Sequence, residues 1–149
     1  MIRKDFIERK LDLIQEELEK LKQLSGYTID QIAADFLKQN TLERLLEKII
    51  IRAVDINNHL ISELGGPGLK SPRDYYETFL RLVDLGVYNN EFALRVAKSV
   101  GTRNKLVHEY DELIDYSQVY DSIDDCLHDY AQYCQHILDF IAKTTSSSS

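Results

Sequence analysis

Only two prolines, Pro67 and Pro72, occur in the 149 residues, so long stretches lack the residue that most effectively breaks a helix. No segment keeps the period-two alternation of apolar and polar side chains that a half-buried strand requires. No apolar run approaches the ~18 residues needed to span a bilayer. Even Lys48–Ile49–Ile50–Ile51–Arg52 holds just three apolar residues between two charges. The first turns carry Arg3, Lys4 and Asp5 and lack the apolar centre of a signal peptide. These absences predict a soluble, cytoplasmic, all-α protein with no membrane partner.

Cysteine is as sparse, with Cys126 and Cys134 alone. Eight residues apart on one helix, their backbones would lie about 12 Å from each other, too far for a disulfide. With His128 and His136 they resemble a ligand set in composition only. Structural zinc draws pairs two to five residues apart from two converging segments. Reduced thiols and no metal are expected. Positive charge is also in deficit: 18 Lys and Arg face 25 Asp and Glu, a formal charge of −7. That excludes a broad basic surface for coating DNA or other nucleic acid, but not a small cationic pocket acting on a few phosphates.

What the chain has in quantity is helical periodicity. Apolar residues make up 44% and charged residues 29%, enough to build one core, and the length suits one domain. Ile7, Leu11, Ile14, Leu18 and Leu21 form one stripe of a helix from Phe6 to Leu24, available to a core or to a dimer. Gly26 stops it, and Thr28–Ile29–Asp30–Gln31 has the capping-box pattern of a short second helix. Thr41 can cap a long helix reaching Leu64, ended by Gly65–Gly66–Pro67–Gly68. Ser71–Pro72 can open another through Tyr76 and Phe79, stopped at Gly86. Asn89 or Asn90 caps a helix through Phe92, Leu94, Val96, Ala97 and Val100. A last long helix covers about Ser117 to Ala142, with Val119, Ile123, Leu127, Tyr130, Cys134, Ile137 and Leu138 inward. Short connections between long helices imply an antiparallel bundle over residues 1–143. The Thr/Ser tail, residues 144–149, has nothing to bury and is expected to be a mobile terminus.

Chemistry concentrates in Arg103–Asn104–Lys105–Leu106–Val107–His108–Glu109–Tyr110, which sets a permanent cation, an amide, an imidazole and a phenol within eight residues. Leu106 and Val107 would anchor it to the core. Such a set suits metal-free RNA cleavage. A ribose 2′-hydroxyl attacking the next phosphate needs a proton-moving group and a cation for the phosphorane charge. His108 can move protons near neutral pH, and Arg103 can grip two phosphate oxygens at once. On an ideal helix the two residues lie about 140° apart, so a helix terminus here or a second copy of the chain must complete the site. Spacing alone leaves other readings open: His108 as a surface histidine, Arg103 paired with Asp111 or Glu112.

Arg103–Asn104, His108 and Tyr110 resemble the Arg-x4-His-x-Tyr signature of the HepT-like HEPN-domain toxins. Ala53–Val54–Asp55–Ile56–Asn57–Asn58–His59–Leu60–Ile61 is similar to that family's central helix. Pro72–Arg73–Asp74–Tyr75–Tyr76–Glu77–Thr78–Phe79 and Leu85–Gly86–Val87 are similar to its next segment. The resemblance covers residues 1–142. It implies a homodimeric HEPN-like bundle whose two motifs face one cleft, acting as a metal-independent endoribonuclease toxin without a cofactor. It also implies an MNT-type nucleotidyltransferase antitoxin as partner, transferring AMP to the motif tyrosine. Arg103 and His108 would then be catalytic, Asn104 would position phosphate or ribose, and Tyr110 would accept AMP. Messenger RNA and transfer RNA both fit as substrate. Thr102 departs from the family, which commonly has an aromatic or apolar residue there. Asp55 and His59, four apart on one helix face, would support the site or form an unrelated core-edge pair. Tyr75 and Tyr76 can stack on a base or pack in the core or an interface. A rival function is a non-catalytic substrate- or partner-binding subunit of a minimal nucleotidyltransferase, and a third is a structural dimerisation bundle.

Overall fold

The computed structural model describes residues 1–108 and 116–146, the side chains of 105–108, 116–119 and 145–146 excepted. The described residues form six helices and no strand: α1 Lys4–Leu24, α2 Ile29–Ala33, α3 Phe36–Leu64, α4 Tyr75–Asp84, α5 Asn90–His108 and α6 Tyr116–Ser146. This is the expected all-α bundle. Helix α3 is central, packing on α1, α2, α4 and α5, while α6 lies against α1, α2 and α5. Among the described residues no helix is long and apolar enough to cross a membrane.

The α1 stripe serves the chain's own core: Ile7, Leu11, Ile14 and Leu21 are at most 2% exposed. Glu17, beside that stripe, is buried too, because Arg52 (3.3 Å) and Lys48 (3.9 Å) of α3 neutralise it. The capping box opens α2 as expected, with Thr28 and Gln31 bonded reciprocally.

Two helix starts differ from the sequence reading for one physical reason. Helix α3 begins at Phe36, not Thr41, because Asp35 Oδ1 accepts from Leu37 N at 2.9 Å, and aspartate caps better than threonine. Thr41 lies inside the helix and donates to the Leu37 carbonyl. Likewise α4 begins at Tyr75, not at Ser71–Pro72, since Asp74 Oδ1 accepts from Glu77 N at 2.9 Å. After α4 the chain turns at Gly86, whose φ of +85° suits glycine, into α5, where Asn89 accepts from Phe92 N.

Helix α6 runs to Ser146, past the expected end at Ala142, so Thr144–Ser146 are helical; residues 147–149 lie outside the described residues. Leu127 and Leu138 are half-buried, the Val119 side chain lies outside the described residues, and Leu94 of α5 is exposed. Tyr130 and Tyr133 of α6 meet Phe79 of α4 edge to face and fill the centre. Near the start of α6 the Tyr120 hydroxyl donates to the Tyr27 carbonyl at 2.6 Å.

A buried polar chain crosses this apolar centre. The Tyr133 hydroxyl donates to Asn57 Oδ1 (2.6 Å), and Asn57 Nδ2 donates to Thr78 Oγ1 (3.1 Å). The Thr78 hydroxyl in turn donates to the Tyr75 carbonyl at 2.7 Å. Asn57 sits on the apolar stripe of α3 between Ala53 and Leu60 and is wholly buried, so each amide atom needs such a partner. The chain ties α6 and α3 to the first turn of α4.

Candidate functional site

Helix α5 carries the motif from Arg103 to His108. Its buried positions Phe92, Val96 and Val100 recur at spacings of four, and Arg103 continues that stripe to the end of the core. Arg103 is accordingly half-buried, and its enclosed Nε has no hydrogen-bond partner among the described residues. Its guanidinium carbon lies 5.8 Å from the centre of the Tyr75 ring, within cation–π range. Arg103 Nη1 donates to Asn104 Oδ1 at 3.4 Å, and Asn104 is exposed.

The helix is unbroken from Arg103 through His108, so no terminus falls between them and their backbone positions stay about 140° apart. The side chains of Leu106, Val107 and His108, and Glu109 and Tyr110 entirely, lie outside the described residues.

A cleft of about 570 Å³ opens between α5 and α6. Lys98, Ser99 and Thr102 line one wall, and Asp121, Ser122 and Asp125 the other. Arg95 pairs with Asp129 at 3.0 Å in the same cleft. Thr102 thus faces a groove shared with α6.

The flank of α4 adds a second cation. Buried Glu77 bonds Arg73 Nε at 2.8 Å and the Arg73 backbone N at 3.2 Å, and it also pairs with Arg81. The Arg73 guanidinium holds the Glu77 carboxyl below its usual range.

Asp55 and His59 have other partners. Asp55 takes Lys10 Nζ at 2.9 Å, and His59 Nε2 accepts from Arg3 N at 2.9 Å while its ring meets Phe6 at 5.3 Å. Both fasten the start of α1 to α3 and contact neither Arg103 nor Asn104. The Cys and His residues of α6 are equally separate. Cys126 and Cys134 are buried, with burial pushing each thiol up to about 12. His136 packs on Phe92 and His128 is exposed. Among the described residues no three His, Cys, Asp or Glu side chains converge on a point where a metal would sit.

The sequence reading did not find the Asn57 chain, although an asparagine on an apolar stripe was its signal. It weighed Tyr75 but not its partnership with Arg103, which no local pattern announces.

Comparison with known proteins places this arrangement. The model of the HepT-like ribonuclease family matches residues 14–137. A curated tRNA nuclease HepT of Aphanizomenon flos-aquae (strain 2012/KM1/D3) is 37% identical over 137 residues, covering 91% of this chain and 89% of that protein. A tri-AMPylated Shewanella oneidensis HEPN toxin in complex with an MNT antitoxin is 25% identical, with a TM-score of 0.78 over 91% of this chain and 98% of that one. A cytosolic protein of unknown function from Bacillus subtilis, YutE, shares the fold alone, at 20% identity and a TM-score of 0.77 over 96% of this chain and 93% of that one. By the extent of the family match and the identity to the Aphanizomenon flos-aquae nuclease, the chain belongs to the HepT-like ribonuclease family and is an RNA-cleaving enzyme.

Proposed function

We propose that the chain is the endoribonuclease toxin of a toxin–antitoxin pair, with Arg103 and His108 as its catalytic residues and no metal in the reaction. The observation that carries this reading is Arg103 itself: a half-buried guanidinium where the core stripe of α5 runs out, with its Nε enclosed. In the reaction the 2′-oxygen bonds to phosphorus as the bond to the 5′-oxygen breaks. His108 takes the 2′-hydroxyl proton, the departing 5′-oxygen takes a proton from water to leave as a hydroxyl beside a 2′,3′-cyclic phosphate, and Arg103 holds the non-bridging oxygens as charge builds on them. Asn104 positions the phosphate or ribose. The relative named a tRNA nuclease favours transfer RNA as substrate.

Unbroken helix between Arg103 and His108 favours a homodimer, in which the two motifs meet across one cleft and each chain contributes what the other's helix turns away. The AMP-modified toxin–MNT complex among the relatives supports an MNT-type antitoxin as partner. Tyr110 is then the AMP acceptor, and the added phosphate silences the site by repelling an anionic backbone.

The test is bacterial growth with the chain expressed alone, wild type beside His108→Ala, with total RNA resolved on a gel. Only the wild type should arrest growth and fragment RNA. In vitro, cleavage should persist in EDTA, and Arg103→Lys should lower kcat by about 100- to 1000-fold. Equal arrest by both chains, or cleavage abolished by EDTA, refutes the assignment.

A further inference from the structure

Tyr75, the first residue of α4, is 41% exposed, whereas Phe79 one turn on is fully buried. A large aromatic left open to water beside a half-buried arginine calls for a physical reason. The ring lies 5.8 Å from the Arg103 guanidinium carbon, and among the described residues only Asn104 Oδ1, at 3.4 Å from Nη1, also orients that group, Nε having no partner. Ring and guanidinium are separated by a distance comparable to that between the phosphate and the base of one nucleotide.

The position is also rigid. The Tyr75 carbonyl accepts from Thr78, which is bonded through Asn57 to Tyr133, and Asp74 caps the same turn. The exposed Arg73 guanidinium, held by Glu77, stands two residues away. With a net charge of −7, affinity for RNA cannot come from a basic surface, whereas stacking of a base on an aromatic ring needs no net charge.

We propose that Tyr75 is the base platform of this site: its ring positions the Arg103 guanidinium and stacks an unpaired base of the RNA whose phosphate Arg103 holds. The proposal rests on the ribonuclease reading above and adds to it a substrate contact and a preference for single-stranded or splayed nucleotides. A paired base offers no free face to the ring, so cleavage falls where the target nucleotide is unstacked.

The experiment titrates short single-stranded RNAs, carrying 2-aminopurine at successive positions, with the full-length chain bearing His108→Ala, so that binding is read without cleavage. At one position the emission should be quenched. Adding Tyr75→Leu should abolish that quench and weaken binding roughly 5- to 150-fold, and Tyr75→Phe should restore both. With His108 intact, the same loss should fall on KM and leave kcat less affected. An abasic site at the quenched position should erase the difference between the Tyr75 and Tyr75→Leu chains, which a merely structural role would not do.

Unchanged quenching in Tyr75→Leu, or an equal loss on intact and abasic RNA, overturns the platform. A loss traced to a changed molecular mass in sedimentation also overturns it and makes Tyr75 an interface residue. Tyr75-dependent quenching without cleavage by the intact chain would sink the ribonuclease reading alone, and cleavage without such quenching would sink the platform alone.

Discussion

Replacing Asn57 by leucine should destabilise the wild-type protein yet stabilise a variant that has lost the asparagine's partners. The side chain is wholly buried and makes two bonds, from the Tyr133 hydroxyl (2.6 Å) and to Thr78 Oγ1 (3.1 Å). Asn57→Leu keeps the branching and the heavy-atom count of the side chain and removes both bonds. Neither partner is orphaned, because the Tyr133 hydroxyl also reaches the Ala53 carbonyl at 3.1 Å and Thr78 still donates to Tyr75. At about 1 kcal/mol net per hydrogen bond, the loss is about 2 kcal/mol. For a chain of this size that corresponds to a fall of roughly 4–8 °C in Tm. In a Tyr133→Phe/Thr78→Val background the amide is buried with neither partner, a penalty of about 1–3 kcal/mol. There Asn57→Leu should raise Tm, because it replaces an unpaired polar group by an apolar one. Thermal and urea unfolding of the four proteins, followed by circular dichroism with the urea m-value held as a check, measures this. If Asn57→Leu lowers stability equally in both backgrounds, the loss comes from shape, and the polar chain does not hold α4 to the core.

Both thiols should resist modification in the native state. At pH 8 a thiol pushed up to about 12 is ionised on the order of a thousandfold less than one at 9.0, so Ellman's reagent should react only after unfolding. Because those folded values are raised, the associated stability is complete below pH 9 and drains away as pH climbs toward 12, which an alkaline unfolding series would register. Glu77 behaves oppositely. Its carboxyl is held low by Arg73, so its contribution is present above its ordinary value of 4.5 and disappears as pH falls below it. The acid limb of the stability curve should therefore flatten in Glu77→Gln. Among glycines, Gly86→Ala should cost about 1–2 kcal/mol through its φ of +85°. Gly101→Ala, exposed inside α5 with open space around its Cβ position, should add about 0.5–1 kcal/mol, and chemical denaturation would reveal a reversed order.

Much of the fold was legible because helical periodicity is local. The stripe Ile7–Leu11–Ile14, the capping box at Thr28 and the stop at Gly86 each announce themselves within a turn or two of chain. The two misplaced starts had one cause. Thr41 and Pro72 are good helix openers, but Asp35 and Asp74 are better caps lying nearby, and the backbone took the stronger acceptor. The burial of Glu17 cannot be read from α1 alone, because its neutralising cations come from α3, far along the chain. The motif was legible at Arg103 because a cation, an amide, an imidazole and a phenol fall within the eight residues that begin there. Its setting was not: Tyr75 meets it only after α4 folds against α5, and the asparagine that fixes Tyr75 lies on a third helix. Asp55 and His59 share a helix face as expected, but their partners on α1 could not be read from their own spacing.

The acid wall of the α5–α6 cleft gives the molecule a front and a back for a polyanion. Asp121, Asp124 and Asp125 stand exposed along α6, the first and last of them lining the groove beside Thr102. An RNA strand drifting in over α6 meets repulsion, while one arriving over α4 meets the exposed guanidinium of Arg73 first. Orientation is thus selected before contact. Ionic strength acts on both sides of that selection within a Debye length of about 10 Å, loosening the guanidinium grip while lifting the barrier over α6. The association rate should consequently vary little with salt, in contrast to the steep decline of proteins that hold RNA through a basic surface.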